Sequence, residues 1–273
     1  MTDDVERRMM ERFDHHDAGL AREGVPQKVY RQMREKCPFQ WTDAHDGFWV
    51  SSRYKDIERV NRDHDTFISS LGMLIPDPSD MLTADEKQQR VAEGKGVAGP
   101  PVMYDPPAHT AIRRALEPLF APGIVRQRTD YVRSVANNWI DTFIETGECE
   151  VVADYCAPVP AIVVLNWLGL GDEDWKVWSE AVLAQFDRPG QYGPDMGAID
   201  LAKLLATLHE RREHPTDDVI TAIGQIRIDG KPLHDFEMVT LLAQLVLAGL
   251  DTTTNAAAST LVALQRNPEI RRE

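Results

Sequence analysis

The chain has 273 residues, room for one large domain or two ordinary ones. Hydrophobic residues make up 42% and aromatics 7%, enough for a sizeable core and far from a disordered composition. A net charge of -14 repels phosphate backbones and anionic lipid, so nucleic acid and membrane surfaces are not expected partners.

In chain order, the first seventeen residues, MTDDVERRMMERFDHHD, are densely charged without an apolar stretch. Neither a signal peptide nor an anchor is expected, and the cytoplasm is the expected compartment. Residues 1–36 read as loop leading into a helix from about Pro26 to Lys36. Phe48–Ser52 has the β-branched and aromatic content of a short strand, and a helix is predicted from Tyr54 to His64. Residues 72–101, rich in Gly, Pro, Asp and Lys, read as a long loop of the functional kind. Helices are predicted over 108–119, 124–146, 160–168, 172–186, 195–213, 217–225 and 235–266. The apolar alternation around Asp229-Gly230, in Ile226–Leu233, predicts a hairpin. The expected fold is mainly α with small β-sheet pieces, as a single domain over 1–273.

Two stretches carry polar residues where chemistry could use them. In DPPAHTAIRRALEPLF, Asp105 before two prolines predicts a helix start with Pro106 at N1, Pro107 at N2, and the Asp105 carboxylate capping the N–H of Ala108. His109 and Arg113 then share one helical face near the positive end of the helix dipole. Two stacked cationic groups favour an anionic guest, a dicarboxylate or a phosphate. A capped surface helix with solvated charges is the plainer alternative. The second stretch, Leu241–Leu264, is apolar all round and is expected to be buried on all sides. Gln244, Asp251, Thr252 and Asn255 interrupt it, which makes a poor membrane span. Gly249 lets something approach the backbone closely. Thr252 can hydrogen-bond back to the Ala248 carbonyl or release it. Asp251 and Thr252 beside that gap could deliver protons, although a polar kink in a core helix is an equal reading.

Other features point elsewhere. GKGVAG, Gly94–Gly99, matches G-x-G-x-x-G, but no strand precedes it and Pro100-Pro101 follows, so no dinucleotide helix starts there. Cys37, Cys149 and Cys156 are odd in number and lack Cys-x-x-Cys spacing, which argues against disulfides and a zinc knuckle. His15-His16, His45 and His64 lie scattered among acidic residues without an evident shared face, and no metal site is expected from them. Trp167, Trp175 and Trp178 are expected in the core or an interface.

DPPAHTAIRR and AGLDTTTNA, in that order and at that separation, resemble the cytochrome P-450 family, in its soluble bacterial class. MREKCPF, FWVSSRYKDIERV and QRNPEIRR extend the resemblance over nearly the whole chain. It implies a haem-dependent monooxygenase inserting oxygen from O2 into a small or medium apolar substrate. It also implies haem b (iron protoporphyrin IX) as cofactor, and electrons from NAD(P)H through a ferredoxin-type donor and its reductase. His109 and Arg113 would hold the haem propionates, and Ala248 and Gly249 would lie against the distal face. Asp251 and Thr252 would pass protons to bound oxygen, so that water rather than peroxide leaves. The loop Gly72–Pro101 and the turn Asp187–Gly197 would roof the substrate pocket.

The family's axial cysteine, whose thiolate donates electrons to the iron, lies in a glycine-containing loop beyond a Glu-x-x-Arg helix. Neither segment occurs in these residues, and none of the three cysteines sits in such a loop, so no metal ligand is assigned. The resemblance therefore implies a C-terminally truncated chain, aggregation-prone and poor at binding haem alone. A non-catalytic remnant acting as a binding or interaction module is the alternative.

Overall fold

Val5, Met9 and Phe13 recur at a spacing of four, as do Val25, Val29 and Met33, and all six are buried. Such spacing puts each trio on one helical face. In the computed structural model these faces pack together, from helix α1 (Thr2–Glu11) with the turn after it and helix α2 (Val25–Lys36). Residues 2–70, 83–96, 99–184, 199–228 and 230–272 are described, and their contacts cluster into two compact units.

The first unit, formed by the described part of residues 2–96, holds α1 and α2. Strands β1 (Phe39–Thr42) and β2 (Phe48–Ser51) form an antiparallel hairpin in which Trp41 opposes Trp49. Helix α3 spans Tyr54–Arg62 and α4 spans Ala84–Ala92. Hydrogen bonds from the Gln40 side chain to the Met10 carbonyl (3.0 Å) and from the Thr42 hydroxyl to the Phe13 carbonyl (2.7 Å) fasten β1 to the end of α1. Three elements here differ from expectation. α1 and β1 fall in stretches not read as structured, and α4 lies inside the predicted long loop, opened by Thr83 and Glu86 bonding each other at 2.7 Å. High surface charge hid the four-residue apolar period of α1.

The second unit, formed by the described part of residues 99–272, is mainly helical. Its helices are α5 (Ala108–Leu116), α6 (Pro122–Gln127), α7 (Thr129–Asp141), α8 (Pro158–Leu168), α9 (Trp175–Ala184), α10 (Leu201–Glu213), α11 (Val219–Gln225) and α12 (Asp235–Arg266). β3 (Arg227–Ile228) pairs antiparallel with β4 (Lys231–Pro232), as the hairpin signal predicts; Asp229 itself lies outside the described residues. The helix predicted over 124–146 is divided at Arg128 into α6 and α7.

One apolar cluster centres this unit. Ile112 and Leu116 of α5, Ala161 and Leu165 of α8, Leu204 and Leu208 of α10, and Leu241, Leu242, Val246 and Leu250 of α12 belong to it. Trp178 is buried in it, and Trp167 and Trp175 pack against it. α12 is long and apolar enough to cross a membrane by length and composition, but its first half is core of this unit.

The expectation that the long helix is buried on all sides is corrected: even in the first half one face is buried, through Met238, Leu241, Leu242, Val246 and Leu250, while Phe236 and Ala248 are exposed. From Asp251 to Arg266 only Thr254 is buried, and Leu261 and Val262 are exposed. Burial requires neighbours on every face, and α8, α10 and α11 pack along α12 without surrounding its second half.

Candidate functional site

α5 begins two residues later than expected. Its N-cap is Pro107, with no side-chain cap, and the Asp105 backbone carbonyl accepts from the His109 N–H at 2.9 Å. The expected Asp105 carboxylate cap on Ala108 is therefore corrected. A residue before proline is biased away from helical φ/ψ, which keeps Pro106 out of the helix. Asp105 itself is buried.

Ile112 and Leu116 anchor one side of α5 in the core, with Ala108 and Ala115 beside them. His109, half-buried, and Arg113, exposed, follow one another by a single turn on another side. Among the described residues no carboxylate pairs with either side chain, whereas Arg211 and Arg212 of α10 both carry ion pairs. An imidazole and a guanidinium one turn apart, on a helix fixed by its apolar face, make a fork suited to two anionic groups.

In α12 the Thr252 hydroxyl donates to the Ala248 carbonyl at 2.7 Å, the back-bonded state expected from the sequence. Thr240, Thr254 and Thr260 bond back in the same way at 2.6, 2.8 and 2.7 Å, so the helix runs unbroken through its weak helix formers. Ala248 and Thr252 are exposed and share a face, while Gly249 and Asp251 are half-buried. The Asn255 side chain donates to the Asp251 carboxylate at 2.9 Å. Asp251 is thus an acceptor held in place beside a hydroxyl on the next residue.

Gly249 has a packing reason that the sequence did not disclose. A Cβ there would stand 2.7 and 2.8 Å from the two Cγ methyls of Val164 in α8. The close approach expected at Gly249 is therefore made by another helix. Gly249→Ala gains about 1 kcal/mol of helix propensity but forces α8 and α12 apart at a cost of roughly 1–3 kcal/mol. A net loss of unfolding free energy is expected in chemical denaturation, relieved by adding Val164→Ala. A single variant more stable than the parent would contradict the close packing.

No hydrogen bond or ion pair among the described residues joins the α5 pair to the α12 quartet; the shared apolar cluster holds both helices. Two described clefts, one lined by Glu6, Arg7 and Gln32 and the other by Arg211, Thr221 and Arg227, include none of the six residues. The turn Asp187–Gly197 and much of Gly72–Pro101, expected over a substrate pocket, lie outside the described residues. The described end of that loop is tied to α12, where Gln244 donates to the Gly99 carbonyl at 3.2 Å, and just beyond it the Tyr104 hydroxyl donates to Glu237 at 3.1 Å.

The cysteines differ in setting. Cys149 is exposed, the Cys37 thiol contacts the Phe39 carbonyl at 3.3 Å, and Cys156 is buried. Burial, then the nearby Glu150 charge, pushes the Cys156 thiol above its usual range, away from thiolate. For the histidines the sequence reading is corrected: His15, His16 and His45 come together, because a turn and a hairpin tip distant in sequence meet in the fold.

No family model matches the chain. It is 27% identical over 271 residues to a steroid C26-monooxygenase of Mycolicibacterium smegmatis, covering 94% of this chain and 62% of that protein. It is also 27% identical over 262 residues to cytochrome P-450 130 of Mycobacterium tuberculosis, covering 90% of this chain and 61% of the relative. A Mycobacterium marinum cytochrome P-450 solved in complex with pseudoionone superposes with a TM-score of 0.74 at 23% identity, over 91% of this chain and 63% of its own. The chain thus spans about three fifths of the length of the relatives it matches.

Proposed function

We propose that this chain, of cytochrome P-450 lineage by sequence and fold, supplies the propionate anchor and distal wall of a haem-dependent monooxygenase. The carrying observation is the His109–Arg113 pair, without carboxylate partners among the described residues and fixed by Ile112 and Leu116 to the core that also grips α12. The donor set fits haem b, iron protoporphyrin IX, whose two carboxylates match one imidazole and one guanidinium. Bound there, the haem supplies activation of O2 with electrons from NAD(P)H through a ferredoxin-type donor and its reductase.

The chain's own residues would then act as follows. Ala248 presents only a methyl on the exposed face of α12 and leaves room beside it. The Thr252 hydroxyl, donating to the Ala248 carbonyl, keeps lone pairs that accept a proton. Asp251, steadied by Asn255, is the carboxylate from which that proton would be relayed. Relatives named for steroid chemistry support an apolar substrate of small or medium size. The acidic surface suits a cytoplasmic setting.

A binding module without catalysis is the second reading, favoured by the Cys156 thiol, which is buried and held above its usual range, away from thiolate. A carbon-monoxide difference spectrum of the reduced, haem-reconstituted chain separates the two. A thiolate-type Soret band would place a cysteine thiolate on the iron and support the enzyme. Haem uptake without that band supports the module, and no uptake at all overturns the haem site.

A further inference from the structure

Asp14 to Asp17 form a tight turn, closed by the Asp17 N–H on the Asp14 carbonyl at 3.1 Å, and this turn presents His15 and His16 side by side. Their rings lie 3.9 Å apart between centroids. The tip of the β1–β2 hairpin reaches the same place. It carries His45, whose ring centroid is 5.6 Å from that of His15 and 5.0 Å from that of His16. One ring nitrogen from each of the three lies within 4.8 Å of the others.

We propose that His15, His16 and His45 form a binding site for a borderline divalent transition metal, Zn2+ in the first instance, that clamps the hairpin tip to the turn after α1. Three features of the first unit carry this, independently of any haem. The spacing is close to the first coordination shell. Tetrahedral Zn–N bonds of ~2.0–2.1 Å put nitrogens about 3.3 Å apart, so ring rotations closing roughly 1.5 Å complete the set. All-imidazole donors select Zn2+, Cu2+ and Ni2+ over the oxygen-seeking Mg2+ and Ca2+.

The second feature is an orienting carboxylate. Asp14 Oδ1 lies 2.9 Å from His45 Nε2 and accepts the His16 backbone N–H at 2.9 Å. With Nε2–H donating to Asp14, His45 keeps its lone pair on the other ring nitrogen, the carboxylate–histidine–metal arrangement.

The third is the backbone. His45 and Asp46 are the two non-glycine residues with positive φ among the described residues, at 50° and 66°. Left-handed conformations of this kind are unfavourable for residues other than glycine and persist where the surroundings impose them. Here they turn His45 toward the Asp14 turn. Phe48 meets the His15 ring edge-on at 5.6 Å, Arg12 pairs with Asp43 at 2.5 Å, and the Thr42–Phe13 bond closes the frame. The platform is therefore held before any ion arrives.

The test is titration of the untagged full chain with zinc chloride, read by calorimetry and by the thermal midpoint. One equivalent is expected to bind with micromolar or tighter affinity and to raise the midpoint. His15→Asn and His45→Gln are each expected to weaken this at least tenfold, and Asp14→Asn to weaken it about 10–100-fold. His64→Asn, remote from the cluster in sequence and pairing with Asp65, leaves it unchanged. Cobalt substitution reports geometry without relying on stability: intense visible d–d bands are expected in the parent and lost in His45→Gln. The proposal is overturned if one-to-one binding is absent, or if it survives His15→Asn and His45→Gln undiminished, as binding at Cys149 or at surface carboxylates would.

Discussion

Replacing His109 and Arg113 together by alanine is expected to weaken the chain's affinity for iron protoporphyrin IX about 100-fold. Hydrogen bonds to charged groups contribute about 1.5–3 kcal/mol each, and the lower figure applies because Arg113 is exposed to water. Two such losses sum to about 3 kcal/mol, or two decades in affinity. Arg113→Lys keeps the charge but loses the fork, and an intermediate loss is expected. Neither residue belongs to the apolar cluster, so the thermal midpoint without haem is expected to stay within about 2 °C. Identical Soret titrations for parent and double variant would remove α5 from the site.

The largest stability loss is expected from Asp218→Ala. Asp218 caps α11 by accepting the Thr221 N–H at 2.7 Å, accepts the Thr216 hydroxyl at 2.6 Å, and pairs with Arg211 of α10 at 2.8 Å. Its side chain is 11% exposed and that of Arg211 20%. Arg211 also reaches the Gly169 carbonyl at the end of α8, where φ is 94°, so one carboxylate stitches three helix ends. Removing the carboxylate from this half-buried pair, cap included, costs roughly 2–4 kcal/mol. Asp235→Ala, which breaks exposed pairs with His209 and Arg212, is expected to cost less than about 1 kcal/mol.

The pH dependence follows from the direction of the Asp218 shift. Burial raises its carboxyl, but the Thr216, Arg211 and Thr221 hydrogen bonds outweigh burial and lower it below the usual value. A lowered folded value gives stabilisation that is complete above the unfolded value near ~3.9 and lost as pH falls through the folded one. The gap between parent and Asp218→Ala in denaturation experiments is thus expected to be constant from neutral pH down to about 5. It should narrow below ~4. A gap independent of pH down to 2 would show that the carboxylate charge contributes nothing.

Local chemistry was legible where it repeated along the chain. Asp235–Arg266 was readable as one helix because its apolar residues continue through the polar centre, and the structure keeps it unbroken. The Thr252–Ala248 bond was readable because donor and acceptor are four residues apart in any helix. The α5 pair was readable for the same reason, whereas the start of α5 was not, since two prolines in succession compete for the first turn. α1 escaped notice because its three buried side chains stand among many charges.

What the sequence by itself determined is therefore the mainly helical class, most of the helices after Asp105, and the face that His109 shares with Arg113 and Ala248 with Thr252. These depend on periods of a few residues, set by backbone geometry that every chain shares. Tertiary structure alone decided that Val164 fills the space beside Gly249, that Asp218 ties three helix ends, and that His45 joins His15 and His16. Those contacts join residues 85, 7 and 42, and 29 and 30 positions apart, separations bridged by the packing of whole elements and invisible to any local period.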